Sequence, residues 1–98
     1  MPLVLTSRER ASLKARAHAL GPVVQLGHAG VSDKIVAEVD RALAAHELIK
    51  VKIGGDDREA RRELGDVLGE RTDAAVVYRV GKIVVLWRPR PEDEDAED

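Results

Sequence analysis

The 98-residue chain is 44% apolar and contains no cysteine. That is enough to bury the core of one domain, and it excludes disulfides, thiolate metal sites and cysteine nucleophiles. The formal charge of −2 hides an asymmetry: six of the 18 acids lie in residues 92–98, leaving residues 1–91 with 16 Lys+Arg against 12 Asp+Glu, a net +4 that permits an anionic partner.

Thr6-Ser7-Arg8-Glu9 has the form of a capping box, a hydroxyl at the N-cap and a carboxylate three residues on. Ala11, Leu13, Ala17 and Leu20 then supply a helical stripe, and Gly21-Pro22 stops it. Pro22 to Leu26 predicts a short strand, and Gly27-His28-Ala29-Gly30 a turn. Ser32 is the expected N-cap of a second helix, with Asp33 in its first turn. Ile35, Val36, Val39, Ala42 and Leu43 are spaced to form one buried face, and the helix is expected to end near His46. Leu48 to Ile53 reads as a strand, and Gly54-Gly55-Asp56-Asp57 breaks it and offers a cap. A third helix is expected to run to about Glu70, with Ala60, Leu64, Val67 and Leu68 facing inward. Ala75–Val80 and Lys82–Arg88 are the last two strands, joined tightly at Gly81.

The predicted fold is therefore α/β, a single domain in the order α-β-α-β-α-β-β, with a four-stranded mixed sheet and helices packed on it. Ile83-Val84-Val85-Leu86-Trp87 is apolar on both pleats, so at least one helix is expected on the opposite face from the others. Residues 1–90 are expected to form the domain and residues 91–98 an acidic, disordered tail. The N-terminal apolar stretch is too short and lacks the basic region of a signal sequence. No run approaches the roughly 18 apolar residues of a membrane span. A soluble, monomeric, cytoplasmic protein without a membrane partner is expected.

The Gly27–Gly30 turn joins a strand to a helix start, where free backbone N–H groups and the helix dipole attract anions. Two glycines let another backbone approach closely. Bonding there comes from the main chain and reads no base sequence. Ser32 and Lys34 border the same place. By itself a Gly-x-x-Gly pattern favours nothing more than a tight turn. Lys50 and Lys52 leave one face of a strand, and that pleat is expected to reach solvent, because a buried lysine is costly. Arg10 and Lys14 are neighbours on the first helix. These cations could track phosphates beside the turn. Aromatic stacking is not available as a mechanism, because Tyr78 and Trp87 are the only aromatic residues and Trp87 sits in an apolar strand.

An enzyme is not expected, and neither metal nor cofactor is implied. His18, His28 and His46 lack ligand spacing, and no nucleophile, base and orienting group assemble. Asp56-Asp57 reads as a turn and helix start.

Three co-linear segments carry a resemblance. They are Leu20-Gly21-Pro22-Val23-Val24-Gln25-Leu26-Gly27-His28-Ala29-Gly30-Val31-Ser32, then Glu47-Leu48-Ile49-Lys50-Val51-Lys52, then Val80-Gly81-Lys82-Ile83-Val84-Val85-Leu86-Trp87-Arg88. Together they resemble the CRM-domain, or YhbY-like, RNA-binding proteins over residues 6 to 90. The resemblance implies a fold similar to the C-terminal domain of a bacterial translation initiation factor, with a Gly-x-x-Gly loop likened to that of KH domains, which clamp a nucleic-acid backbone. It implies association with the precursor of the large (50S) ribosomal subunit and a role in its assembly. Carried over by position, Gly27 and Gly30 become loop residues, and Lys50, Lys52 and Arg88 candidate RNA contacts. Two features depart from the family: His28-Ala29 stand where basic or polar residues are common, and the chain ends in acids where short members commonly end in basic residues. An alternative reading is a protein-interaction adaptor on the ribosome with little direct RNA contact.

Overall fold

The computed structural model describes residues 4–27 and 30–89; His28, Ala29 and the acidic segment 91–98 lie outside them. Three helices and four strands follow in the expected order: α1 (Ser7–Ala17), β1 (Pro22–Leu26), α2 (Asp33–His46), β2 (Leu48–Ile53), α3 (Arg58–Arg71), β3 (Ala75–Val80) and β4 (Ile83–Trp87). Each helix starts on a side-chain cap. Thr6 Oγ1 accepts from Glu9 N at 3.0 Å while Glu9 Oε1 accepts from Thr6 N at 2.8 Å, completing the capping box. Ser32 Oγ accepts from Ile35 N, and Asp57 Oδ1 accepts from Glu59 N and Ala60 N.

The sheet order is β1-β2-β4-β3. β1 runs parallel to β2, with Gln25 opposite Lys52 and Leu26 opposite Ile53. β4 lies antiparallel to both neighbours, Leu48 facing Trp87 on one side and Ala75 facing Trp87 on the other. Because strand side chains alternate between faces, this register divides the core in two. One cluster holds Leu26, Ile49, Val51, Ile53, Val84 and Leu86 under α2 and α3, with Val39, Leu43 and Leu68 from the helices. The other holds Leu48, Val77 and Val85 under Leu13 and Ala17 of α1. α1 therefore covers the face opposite α2 and α3, as the doubly apolar β4 requires.

Several expected inward residues face elsewhere. α1 ends at Ala17, with His18 as its cap, so Leu20 falls outside the helix and is 37% exposed. Ala11 is exposed. On α3, Ala60 is exposed and Val67 is 41% exposed; the buried stripe runs instead through Gly65, Leu68 and Gly69, flanked by the half-buried Leu64. The physical reason is close approach. A Cβ on Gly69 would lie 3.1 Å from Val76 Cγ2 and 3.2 Å from the Ala74 carbonyl, so the glycines let α3 settle on the sheet. β3 also carries a bulge between Val76 and Tyr78, which adds one residue against β4.

Leu86 is fully buried in the larger cluster, whereas Val23 is 53% exposed. Leu86→Ala is expected to cost about 2–5 kcal/mol through the cavity it leaves, and Val23→Ala no more than about 0.5 kcal/mol. Urea unfolding followed by circular dichroism would check the pair. Equal effects would refute this assignment of the core.

Candidate nucleic-acid interface

The parallel pairing of β1 and β2 sends both strands out of the sheet at the same end. There the Gly54 N–H donates to the Leu26 carbonyl at 3.0 Å, and the Ile53 N–H to the Lys82 carbonyl at 2.7 Å. The segment after β1, the segment after β2 and the β3–β4 turn are thereby tied side by side.

Gly27 is exposed and Gly30 takes φ +74, a left-handed value that a side chain rarely adopts. The Gly30 N–H donates to the Gly27 carbonyl at 3.2 Å, closing the turn. Immediately after it, α2 presents its first N–H groups. Ser32 Oγ takes the Ile35 N–H; among the described residues, nothing accepts from the backbone N–H of Asp33 or Lys34. Those two donors and the dipole of a 14-residue helix suit an anion. The Asp33 carboxylate would oppose one, but Arg71 pairs with it at 2.8 Å. Lys34 is exposed in the first turn. His28 and Ala29 fall outside the described residues.

Lys50 and Lys52 lie on the face that α1 covers only in part. Lys52 is exposed and Lys50 half-buried, with Val23 and Gln25 of β1 also exposed. Lys52 stands opposite Gln25, two residues before Gly27, so it leaves the sheet beside the glycine turn.

Three other sequence candidates have structural engagements. The Arg10 guanidinium donates to the carbonyls of Val76, at 2.9 Å, and of Val77, satisfying backbone acceptors at the β3 bulge and fastening α1 to that strand. Lys14 Nζ sits 4.9 Å from the centroid of the Tyr78 ring, a cation–π contact. Arg88 lies at the far end of β2 from the glycine turn, its backbone N–H on the Glu47 carbonyl. Its guanidinium binds Asp40 Oδ1 at 2.5 Å and the carbonyls of Thr72 and Asp40. The structure does not bring Arg88 to the loop.

Sequence reading passed over a group of cations that the fold does assemble. Arg58, Arg61 and Arg62 at the start of α3 face Arg79 and Lys82 of the β3–β4 hairpin across a cleft of about 390 Å³. Four-residue separations within α3 were visible; that residues 79–82 would meet residues 58–62 was not, because only the sheet order creates it. Among the described residues no three His, Asp or Glu side chains gather as a metal site. No helix among them is long and apolar enough to cross a membrane.

Comparison with known proteins gives a consistent result. Residues 5–88 match the model of the CRS1 / YhbY (CRM) domain. A Haemophilus influenzae protein named RNA-binding protein is 43% identical over 88 residues, covering 90% of this chain and 89% of the relative. Probable RNA-binding protein YqeI of Bacillus subtilis is 30% identical over 94 residues, covering 96% and 98%. The solution structure of the Staphylococcus aureus protein SAV1595 superposes with a TM-score of 0.80 at 28% identity, covering 94% of this chain and 96% of that one.

Arg88→Ala is expected to lower stability by about 1–2 kcal/mol, since it leaves the Thr72 carbonyl without this donor and Asp40 without its cation. A thermal melt checks this. An unchanged midpoint would show that the ion pair contributes nothing and free Arg88 for another role.

Proposed function

Because the chain belongs to the CRS1/YhbY (CRM) domain family, we propose that it binds RNA through its backbone and performs no catalysis. The observation that carries the mechanism is the shared position of the glycine turn, the Asp33 and Lys34 N–H groups (without an acceptor among the described residues) and Lys52 at one end of the sheet. Main-chain donors from the turn and from Asp33 and Lys34 hold one phosphate, and Lys52 and Lys50 follow the strand away from it. Gly27 and Gly30 supply the closeness of approach, Ser32 fixes the helix start, and Lys34 adds charge. Arg10 and Arg88 act on stability, because their guanidinium donors are already placed on carbonyls and on Asp40. Selectivity then comes from RNA shape, since neither main-chain donors nor lysines read base edges.

The mechanism sets a salt dependence. Log affinity falls linearly with log salt, by about 0.7 per phosphate contact on a single strand. Lys50→Ala with Lys52→Ala is expected to make that slope shallower by about one to two and to weaken binding across RNA sequences alike. Replacing His28 and Ala29 by aspartate is expected to reduce affinity at least tenfold with an unchanged melting temperature. Fluorescence anisotropy with labelled RNA oligonucleotides reads both. A salt-independent affinity would refute the phosphate clamp and favour the adaptor reading.

The RNA is proposed to be that of the large ribosomal subunit precursor, as the family resemblance implies, and we propose that a cytoplasmic monomer meets it. Ultraviolet crosslinking in cells, followed by sequencing of the attached RNA, is expected to return large-subunit rRNA and its precursors. Enrichment of other transcripts instead would overturn that assignment.

A further inference from the structure

The cleft between α3 and the β3–β4 hairpin gathers five of the chain's 16 cations, Arg58, Arg61, Arg62, Arg79 and Lys82, and among the described residues no carboxylate lines it. Two of the five have structural duties. Arg79 pairs with Asp66, and Arg61 Nη1 donates to the Gly55 carbonyl at 2.8 Å. Among the described residues, Arg58, Arg62 and Lys82 have no ion-pair partner. Arg61 Nε is buried and has no hydrogen-bond partner among the described residues, and an unsatisfied donor on a charged group is costly.

This arrangement works against the fold. Arg58, Arg61 and Arg62 occupy three of the first five positions of α3, where the helix dipole repels cations. Arg58 and Arg62 are also four residues apart on one helix, a like-charge spacing that destabilises it. Asp57 at the N-cap and Glu59 in the first turn offset part of these costs, and an anion in the cleft would offset the remainder.

The cleft is also continuous with the proposed RNA surface. Ile83 lines it and stands opposite Lys52 in the sheet. Tyr78 lines it and carries Lys14 over its ring. The hairpin that supplies Lys82 is held to the end of β2 by the Ile53–Lys82 hydrogen bond, and β2 to the end of β1 by the Gly54–Leu26 bond. From the glycine turn to the hairpin is thus two strand spacings, about 10 Å. That is the rise of about three nucleotides in a stacked strand.

We propose that this cleft is a second phosphate site, in which Arg58, Arg62 and Lys82, with Arg61, hold the backbone of the same RNA strand about three nucleotides from the glycine turn. The proposal rests on the RNA-binding reading for its ligand, while the site itself can be tested without RNA. Arginine suits it, because the planar guanidinium binds phosphate oxygens in pairs. Two fixed points on one strand also set polarity and spacing, which a single clamp cannot do.

The test uses the full chain and the triple variant Arg58→Ala, Arg62→Ala, Lys82→Ala, which leaves the Arg61 and Arg79 bonds in place. The variant is expected to bind single-stranded RNA at least tenfold more weakly near 0.1 M salt, with a salt slope shallower by about two. Its melting temperature is expected to hold or rise, since mutual repulsion has been removed; a fall would assign these cations a structural role and overturn the proposal. Tripolyphosphate added to the labelled wild-type protein is expected to shift the backbone amide resonances of residues 58–62 and 81–83, and not those of the triple variant. If the wild type binds RNA and the triple variant binds it equally well, the cleft is not a phosphate site and the glycine-turn clamp stands alone. If the wild type does not bind RNA, the RNA reading fails, and the tripolyphosphate titration still decides whether the cleft takes phosphate. If deleting residues 92–98 shifts the same resonances with no anion added, the chain's own acidic end is the occupant, and the RNA assignment is overturned.

Discussion

The antiparallel pairing of β2 with β4 is the constraint on which the rest of this domain depends. Ile49, Val51, Val84 and Leu86 fill one face of the pair and Leu48 and Val85 the other, all nearly fully buried. Apolar surface on both sides has to be covered on both sides. α2 and α3 cover one face and α1 the other. α1 has only 11 residues and packs over β3, β2 and β4, so the β1 side of its face keeps Val23, Gln25 and Lys52 in contact with water. The open basic strip is a consequence of how much sheet one short helix can cover.

The same pairing fixes where the loops meet. A parallel β1–β2 pair delivers the glycine turn and the start of α3 to one end, and an antiparallel β4 brings the hairpin tip to that end as well. Binding sites in open α/β sheets form outside the carboxyl ends of the parallel strands for this reason. Here three backbone connections converge there, held by two hydrogen bonds of 2.7 and 3.0 Å. A surface built on such a frame can hold a polyanion at fixed spacing without relying on long, flexible side chains for its geometry.

Much of the fold was legible in the sequence because its signals are local. Thr6 with Glu9, Ser32 and Asp57 are caps that report helix starts within four residues, and the two-sided apolarity of Ile83–Trp87 reports burial on both faces. What could not be read was contact between distant segments. The inward role of Gly65 and Gly69 is invisible to hydrophobic periodicity, since a glycine carries no apolar side chain to count. Ala60 and Val67 were expected inward on that periodicity, yet α3 is rotated to put its smallest residues against the sheet. Arg10 illustrates the same limit from the other side: beside Lys14 it resembles a surface cation, but a bulge 66 residues later gives its guanidinium two carbonyls.

That limit bears most heavily on charge. The net +4 of residues 1–91 says that an anion is permitted but not where. The fold sorts the cations by what they already hold. Arg10, Arg71, Arg79 and Arg88 are engaged with carbonyls or carboxylates, while Lys34 and Lys52 are exposed and Arg58, Arg62 and Lys82 lack an ion pair among the described residues. A cation already bonded within the domain contributes mainly to stability, and losing it leaves its partner unsatisfied. A cation held near others of like charge contributes mainly to whatever anion relieves the repulsion. Position along the sequence does not separate these two kinds, since Arg61 and Arg62 are adjacent and differ in this respect. The separation is made by the fold, which places one set on carbonyls and carboxylates and gathers the other toward one end of the sheet.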